Sequence, residues 1–137
     1  MQATRTDALT GVGNQLAWDE ALQLLQHDLR AAGKPHTIVL VDVDPQFVEP
    51  VAAVIRETVR DDDVVARITD DEFAILMRDT DVAACRQRIE RLERGFRGSR
   101  VEAAVGYATV PPAASLMAAQ EEAALRLAGA KANVTTG

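Results

Sequence analysis

The run from Arg60 to Phe73, Arg-Asp-Asp-Asp-Val-Val-Ala-Arg-Ile-Thr-Asp-Asp-Glu-Phe, holds two kinds of chemistry within one short stretch. Asp70, Asp71 and Glu72 lie between two apolar runs, residues 64–68 and 73–77, that read as a β-hairpin. Carboxylates gathered at a hairpin tip suit a hard cation such as Mg²⁺, which prefers oxygen ligands, and through it a phosphate chain. Asp42 and Asp44, at the end of the β-rich run 37–43, add carboxylates from a second strand end. Arg60-x-x-Asp63 offers different chemistry. A guanidinium forks onto a phosphate or onto the O6/N7 edge of guanine, and a carboxylate accepts from guanine N1 and N2. Against this stands a plainer reading, in which Arg60 and Asp63 are a charged strand entry and Asp61, Asp62 and Asp63 a solvated acidic run.

These groups need elements to hold them. Asn14 is placed to cap a helix on which Trp18, Leu22, Leu25 and Leu29 recur at helical spacing, with Gly33 as its stop. Pro45 suits the first turn of a second helix, whose apolar stripe is Phe47, Val51, Val54, Ile55 and Val59; Pro50 delays or kinks it. After the hairpin, Val82, Cys85, Ile89, Leu92 and Phe96 mark a third helix over about residues 80–95, ended by Gly95 and Gly98. Residues 101–110 read as a strand closed by Pro111 and Pro112, residues 113–129 as an alanine-rich helix, and residues 134–137 as a loose tail. The order predicts an α/β (α+β) fold of the split β-α-β kind, with a central, mainly antiparallel sheet and surrounding helices drawn to one side of it.

Bulk properties narrow the function. The 137 residues fit one domain, 1–137, with an ordinary core. A hydrophobic share of 47% and a charged share of 26% are those of a globular protein. The net charge of −6 gives no general attraction for nucleic acid or an anionic membrane, so a small anionic ligand would need a local cluster of arginines. Cys85 is the only cysteine, which excludes an internal disulfide and a cysteine-based zinc site. His27 and His36 are read as surface residues, and Cys85 as a buried small hydrophobe. With no apolar run of membrane-spanning length and no signal-peptide pattern, the default compartment is a reducing cytoplasm.

At the level of motifs the chain resembles a known family. Asp7-Ala8-Leu9-Thr10-Gly11-Val12-Gly13-Asn14 is similar to the D-x-L-T-G-L-x-N opening of GGDEF domains, the diguanylate cyclase family. Val41-Asp42-Val43-Asp44 resembles the family's D-x-D strand end, and Ala66-Arg67-Ile68-Thr69-Asp70-Asp71-Glu72-Phe73 its A-R-Y-G-G-D-E-F hairpin. Val105-Gly106-Tyr107-Ala108 is similar to its late S-I-G-V-A strand. The resemblance implies a palm-like fold with a shortened second helix region. It implies an ancestral reaction in which two GTP molecules, one on each of two facing domains, are joined into cyclic di-GMP with two metal ions. Asp42 and Asp71 match the metal-binding carboxylates, and Glu72 the acid that assists attack. Asp7 and Arg67 match a structural salt bridge.

Several departures count against catalysis. Thr69 and Asp70 stand where the family has its paired glycines. Glycine serves where backbone approaches a ligand closely or takes φ > 0. Asp70 also sets a negative charge against a triphosphate, a like-charge contact of roughly 4 kcal/mol at about 4 Å and an effective dielectric of about 20. Between Asp44 and the hairpin, the family's guanine-reading segment is lacking, a loss on the order of one average helix. The lysine of its late helix is also lacking, since Ala128 is followed by Gly129. The expectation is a degenerate domain without cyclase activity. Asp71 and Glu72 are then relics, and Asp42 and Asp71 a vestigial metal position that holds Mg²⁺ weakly if at all.

The R-x-x-D motif is intact by contrast. Five residues, 64–68, separate Asp63 from Thr69, the spacing at which many family members carry an inhibitory site for cyclic di-GMP. Arg91 sits where the family often adds an arginine for that ligand, and Arg88, one turn away, could substitute. The reading is a regulatory module that binds cyclic di-GMP through Arg60, Asp63, Arg91 and Arg88. Two alternatives stand beside it. One is a protein-interaction domain that pairs with itself or with another signalling protein and binds no nucleotide. The other is an unusual metal-dependent nucleotide cyclase or polymerase that keeps Asp42, Asp71 and Glu72.

Overall fold

The computed structural model describes residues 4–28, 31–111 and 114–136, with residues 132–136 as backbone only. Helix α1 (Gln15–Gln26) begins at Asn14, whose side chain accepts a hydrogen bond from the Ala17 N–H. It ends at His27, before Gly33, and residues 31–33 form a turn that precedes the sheet. Leu29, predicted to extend the apolar stripe, lies outside the described residues. Strand β1 (His36–Val43) is followed by a 3-10 turn (Pro45–Phe47) and helix α2 (Val48–Thr58). Pro50 falls in the first turn of α2, where its missing N–H has no intrahelical partner to lose, so the helix is not broken. Strands β2 (Val64–Thr69) and β3 (Glu72–Met77) form the hairpin, and helix α3 (Val82–Gly98), strand β4 (Ala103–Val110) and helix α4 (Leu116–Thr136) complete the chain. Helix α4 carries on through residues 134–136, which were expected to be a loose tail.

The four strands form one antiparallel sheet in the order β2-β3-β1-β4. This is the split β-α-β topology: β3 lies between β2 and β1, and β1 between β3 and β4. The helices cover both faces, not one. Alternation along the strands decides which. Val39, Val41, Phe73, Ile75 and Met77 point to the face packed by Val51, Val54 and Ile55 of α2 and by Ile89, Leu92 and Phe96 of α3. Ile38, Leu40, Ala74 and Leu76 point to the other, packed by Trp18 and Leu22 of α1 and by Ala119, Ala123 and Leu127 of α4. Both faces of β1 and β3 are therefore buried, which explains their near-continuous apolar runs. Of the α3 stripe, Val82 is exposed, and Arg88, which is not part of that stripe, is buried.

Among the described glycines, the tightest surroundings are those of Gly106. A Cβ there would lie 2.3 Å from the Leu127 backbone nitrogen and 2.5 Å from the Ala123 carbonyl oxygen. The glycine lets α4 lie directly on β4, and this sets where the far end of α4 arrives.

Candidate functional site

The candidate residues divide between the two ends of the sheet. The tip end gathers the C-terminus of β1, the β2–β3 turn and the later part of α4. Asp42 and Glu72 are direct partners in the β1–β3 register, so their side chains leave the same face, about 4.5–5.5 Å apart at Cβ. The alternation that sends Val41 and Phe73 to the α2/α3 face sends this pair toward α4. There Lys131 Nζ lies 3.2 Å from Asp42 Oδ2. Burial, together with the neighbouring Asp42 and Asp71 charges, pushes the Glu72 carboxyl above its ordinary value, and Lys131 opposes this. Sequence reasoning missed Lys131, having looked for the family's lysine directly after Ala128. The helix repeat held the signal, because position 131 lies four residues beyond the buried Leu127 and so near the sheet-facing side of α4.

The hairpin tip is tied internally. Arg67 donates through Nε and Nη2 to the Asp70 carbonyl, at 3.1 and 2.6 Å. Thr69 Oγ1 donates to Asp71 Oδ1 at 3.1 Å, and the Val43 N–H donates to the Asp71 carbonyl at 2.9 Å. Thr69 and Asp70 do not take positive φ, so replacing the glycine pair leaves no backbone strain; what it changes is bulk and charge. The expected pair of Asp7 and Arg67 is present, with Nη1 3.3 Å from Oδ1. Burial tends to raise the Asp7 carboxyl, but the Thr10 hydroxyl and N–H and the Arg67 guanidinium outweigh it and hold the group below its usual value.

A metal-binding role for Asp42 and Asp71 can be tested against these donors. Among the described residues, no group of three or more His, Cys, Asp or Glu side chains converges as a metal ligand set. Asp42 Oδ2 is engaged by the Lys131 ammonium. The residues present do not fit a divalent cation.

The opposite end joins the start of β1, the approach to β2 and the first half of α3. Asp63 closes the Arg60–Asp63 turn: its Oδ2 accepts the Arg60 N–H at 2.8 Å, and its own N–H donates to the Arg60 carbonyl at 3.1 Å. The same carboxylate is ion-paired with Arg88, whose Nη1 also reaches Thr80 Oγ1 at 3.4 Å. The pair is deeply buried, with side-chain exposures of 0% for Asp63 and 7% for Arg88. Arg60 and Arg91 are exposed, and neither side chain makes an ion pair among the described residues. The structure thus unites Asp63 with Arg88 and leaves Arg60 and Arg91 to solvent.

His36 also belongs to this end and is buried, contrary to the surface position predicted for it. Its Nδ1 accepts the Asp79 N–H at 3.0 Å, which places the proton on Nε2, 3.4 Å from the Ala31 carbonyl. Asp79 holds φ of 49°, a left-handed conformation that aims its N–H at the ring. A cavity of about 410 Å³ opens beside His36, lined by Asp28, Lys34, Asp62 and Arg78 among others. Its charges are of both signs and partly paired, Arg78 with Asp28 and Lys34 with Asp79, each at 3.7 Å. Cys85 is buried as predicted, and burial pushes its thiol up.

The family described as "Diguanylate cyclase, GGDEF domain" matches residues 45–135. The cyclic di-GMP phosphodiesterase NbdA of Pseudomonas aeruginosa is 33% identical over 89 residues, 55% of this chain and 11% of that protein. The probable diguanylate cyclase DgcE of Escherichia coli is 26% identical over 94 residues, 58% of this chain and 8% of that protein. The chain thus spans about a tenth of the length of the curated relatives it matches. Among solved structures, the GGDEF domain of DgcB from Caulobacter crescentus, in complex with c-di-GMP, superposes with a TM-score of 0.84 at 20% identity, covering 97% of this chain and 93% of that one. The FimX GGDEF domain of Pseudomonas aeruginosa gives 0.80 at 17% identity, covering 93% and 94%. Among the described residues, no helix is long and apolar enough to cross a membrane.

Proposed function

Because this chain belongs to the GGDEF domain family and is related to proteins of cyclic di-GMP signalling, we propose that it is a catalytically inactive member that acts as a cyclic di-GMP receptor, binding at the Arg60–Asp63 turn. The observation that carries the reading is the construction of that turn. A buried Asp63–Arg88 pair anchors it and leaves the Arg60 guanidinium exposed, with no ion-pair partner among the described residues. An anchored loop that presents an unpaired guanidinium is preorganised for a phosphate or for a guanine edge. Arg60 makes the first contact, and Arg91 on α3 adds a second positive charge. Asp63 and Arg88 mainly hold the loop, and Asp63 reaches a guanine only where the ligand opens its pair with Arg88.

The tip end supports the inactive half of the reading. Asp70 adds negative charge where a triphosphate would lie, the segment that reads guanine is lacking, and Lys131 engages Asp42. Calorimetric titration tests both halves. Cyclic di-GMP is expected to bind in the micromolar range, and Arg60→Ala to weaken it by roughly tenfold to a hundredfold, the scale of one charge-assisted hydrogen-bonded contact. GTP with Mg²⁺ is expected to give neither heat nor product. Equal binding by Arg60→Ala and the original protein would move the ligand elsewhere. Absence of heat with cyclic di-GMP would favour a protein-interaction domain, and formation of cyclic di-GMP from GTP would overturn the inactive assignment.

A further inference from the structure

We propose that Lys131 is the resident cation of the hairpin tip: its ammonium occupies the place a divalent metal would take beside Asp42, and the tip is metal-independent while Lys131 remains. The register forces the need for a cation. Asp42 and Glu72 stand directly opposite on adjacent strands, an arrangement that is repulsive when both are charged. Asp71 adds a third carboxylate next along the chain. The sheet cannot separate these groups without losing the register that buries Val41 and Phe73.

Helix α4 supplies the compensation. Its seating on Gly106 brings it against β4, and Lys131, one turn beyond the buried Leu127, arrives with Nζ 3.2 Å from Asp42 Oδ2. A tethered ammonium competes at a high effective concentration with any free ion. Mg²⁺ would need near-ideal octahedral geometry at about 2.0–2.1 Å from the same oxygen, and both cations cannot share it. Arg67 and Arg126, the other basic groups near the hairpin or α4, are already engaged with the Asp70 carbonyl and with Glu122 and the Tyr107 carbonyl. The inference concerns the tip alone and does not depend on what binds at Arg60.

The test is a Mn²⁺ titration of the full chain, followed by loss of the free-ion electron paramagnetic resonance signal. The original protein is expected to leave Mn²⁺ free through the millimolar range. Lys131→Met is expected to bind it at least about tenfold more tightly, the result of removing one close like charge. Adding Asp42→Asn to that variant should abolish the gain, and Lys131→Arg should behave as the original. Binding by the original protein as tight as by Lys131→Met, or no gain in Lys131→Met, would overturn the proposal. Where circular dichroism shows that Lys131→Met has not folded, the original protein labelled with ¹⁵N-lysine decides. A Lys131 ammonium resonance unmoved by millimolar Mg²⁺ supports the resident cation, and its displacement by Mg²⁺ overturns it.

Discussion

Both ends of this sheet pair a carboxylate with a cationic side chain, yet the two pairs differ in kind. At the Arg60 end, Asp63 and Arg88 are almost fully enclosed, share more than one contact and hold a turn. At the hairpin tip, Asp42 and Lys131 are joined by one contact and remain 21% and 51% exposed. The first pair is a fixture of the fold. The second answers a local excess of negative charge and stays within reach of water and ions. The difference is one of burial: the same kind of pair is sealed from solvent at one end and open to it at the other.

Arg88 is the side chain whose loss should cost the fold most. Arg88→Ala leaves the Asp63 carboxylate buried without its partner, which costs about 3–5 kcal/mol. Chemical denaturation should show that loss, and the melting temperature should fall with it. Arg88→Met combined with Asp63→Asn keeps an acceptor for the Arg60 N–H and leaves no buried charge, so the double variant should recover much of the stability. If Arg88→Ala is as stable as the original, the buried pair does not anchor the turn.

Gly106→Ala comes next. A Cβ meets the backbone of α4 at under 3.0 Å, so the helix must shift. The expected cost is about 1–3 kcal/mol, the range for overpacking a core. Because the same contact seats Lys131, the variant should also loosen the tip and leave the Arg88 end unchanged, which hydrogen exchange resolved by residue would report.

Much of this was legible in the sequence and some was not. The apolar stripes of α1, α2 and α3 follow the helix repeat, and Trp18, Ile55 and Leu92 are fully or almost fully buried as that repeat requires. The Asp7–Arg67 pair followed from motif resemblance. The placing of helices on one face failed because β1 and β3 are apolar on both faces, so their runs carry no alternation from which to tell sides. The buried state of His36 was missed because a lone histidine at a strand start has no local signature; its partner is a left-handed residue 43 positions away. Likewise, nothing local marks Arg88 as buried. Its neighbours at helical spacing are polar as well as apolar, and Asp63 reaches it only through the fold.

Titration separates the two ends by pH window. His36 has its pKa lowered, first by burial, then also by the Arg78 and Lys34 charges, while the Ala31 carbonyl and Asp79 act the other way. A histidine whose folded pKa lies below its unfolded value, about 6.5, contributes stability above that value and loses it as pH falls from there through the folded pKa. At the tip, Asp7 is lowered as well, so its contribution is present above the unfolded aspartate pKa, about 3.9, and is lost as pH falls through the folded value. His36→Gln should therefore flatten the stability profile just below pH 6.5 or so, and Asp7→Asn should flatten only the acid limb. An unchanged profile in His36→Gln between neutral and mildly acidic pH would mean that the Asp79 N–H contact does not favour the neutral ring.

The smallest expected effect is the thermodynamic one at Lys131 itself. An ion pair this exposed is worth less than about 1 kcal/mol, because water and salt screen it and ordering a lysine side chain opposes it. Lys131→Met should therefore change the denaturation midpoint only slightly at physiological salt. At low salt the cost should grow, since the unrelieved repulsion between Asp42 and Glu72 is then less screened. The Arg88 end should show no such salt dependence, because its pair is shielded from ions. A large, salt-independent loss in Lys131→Met would place the lysine among the structural anchors of the fold and erase the contrast between the two ends.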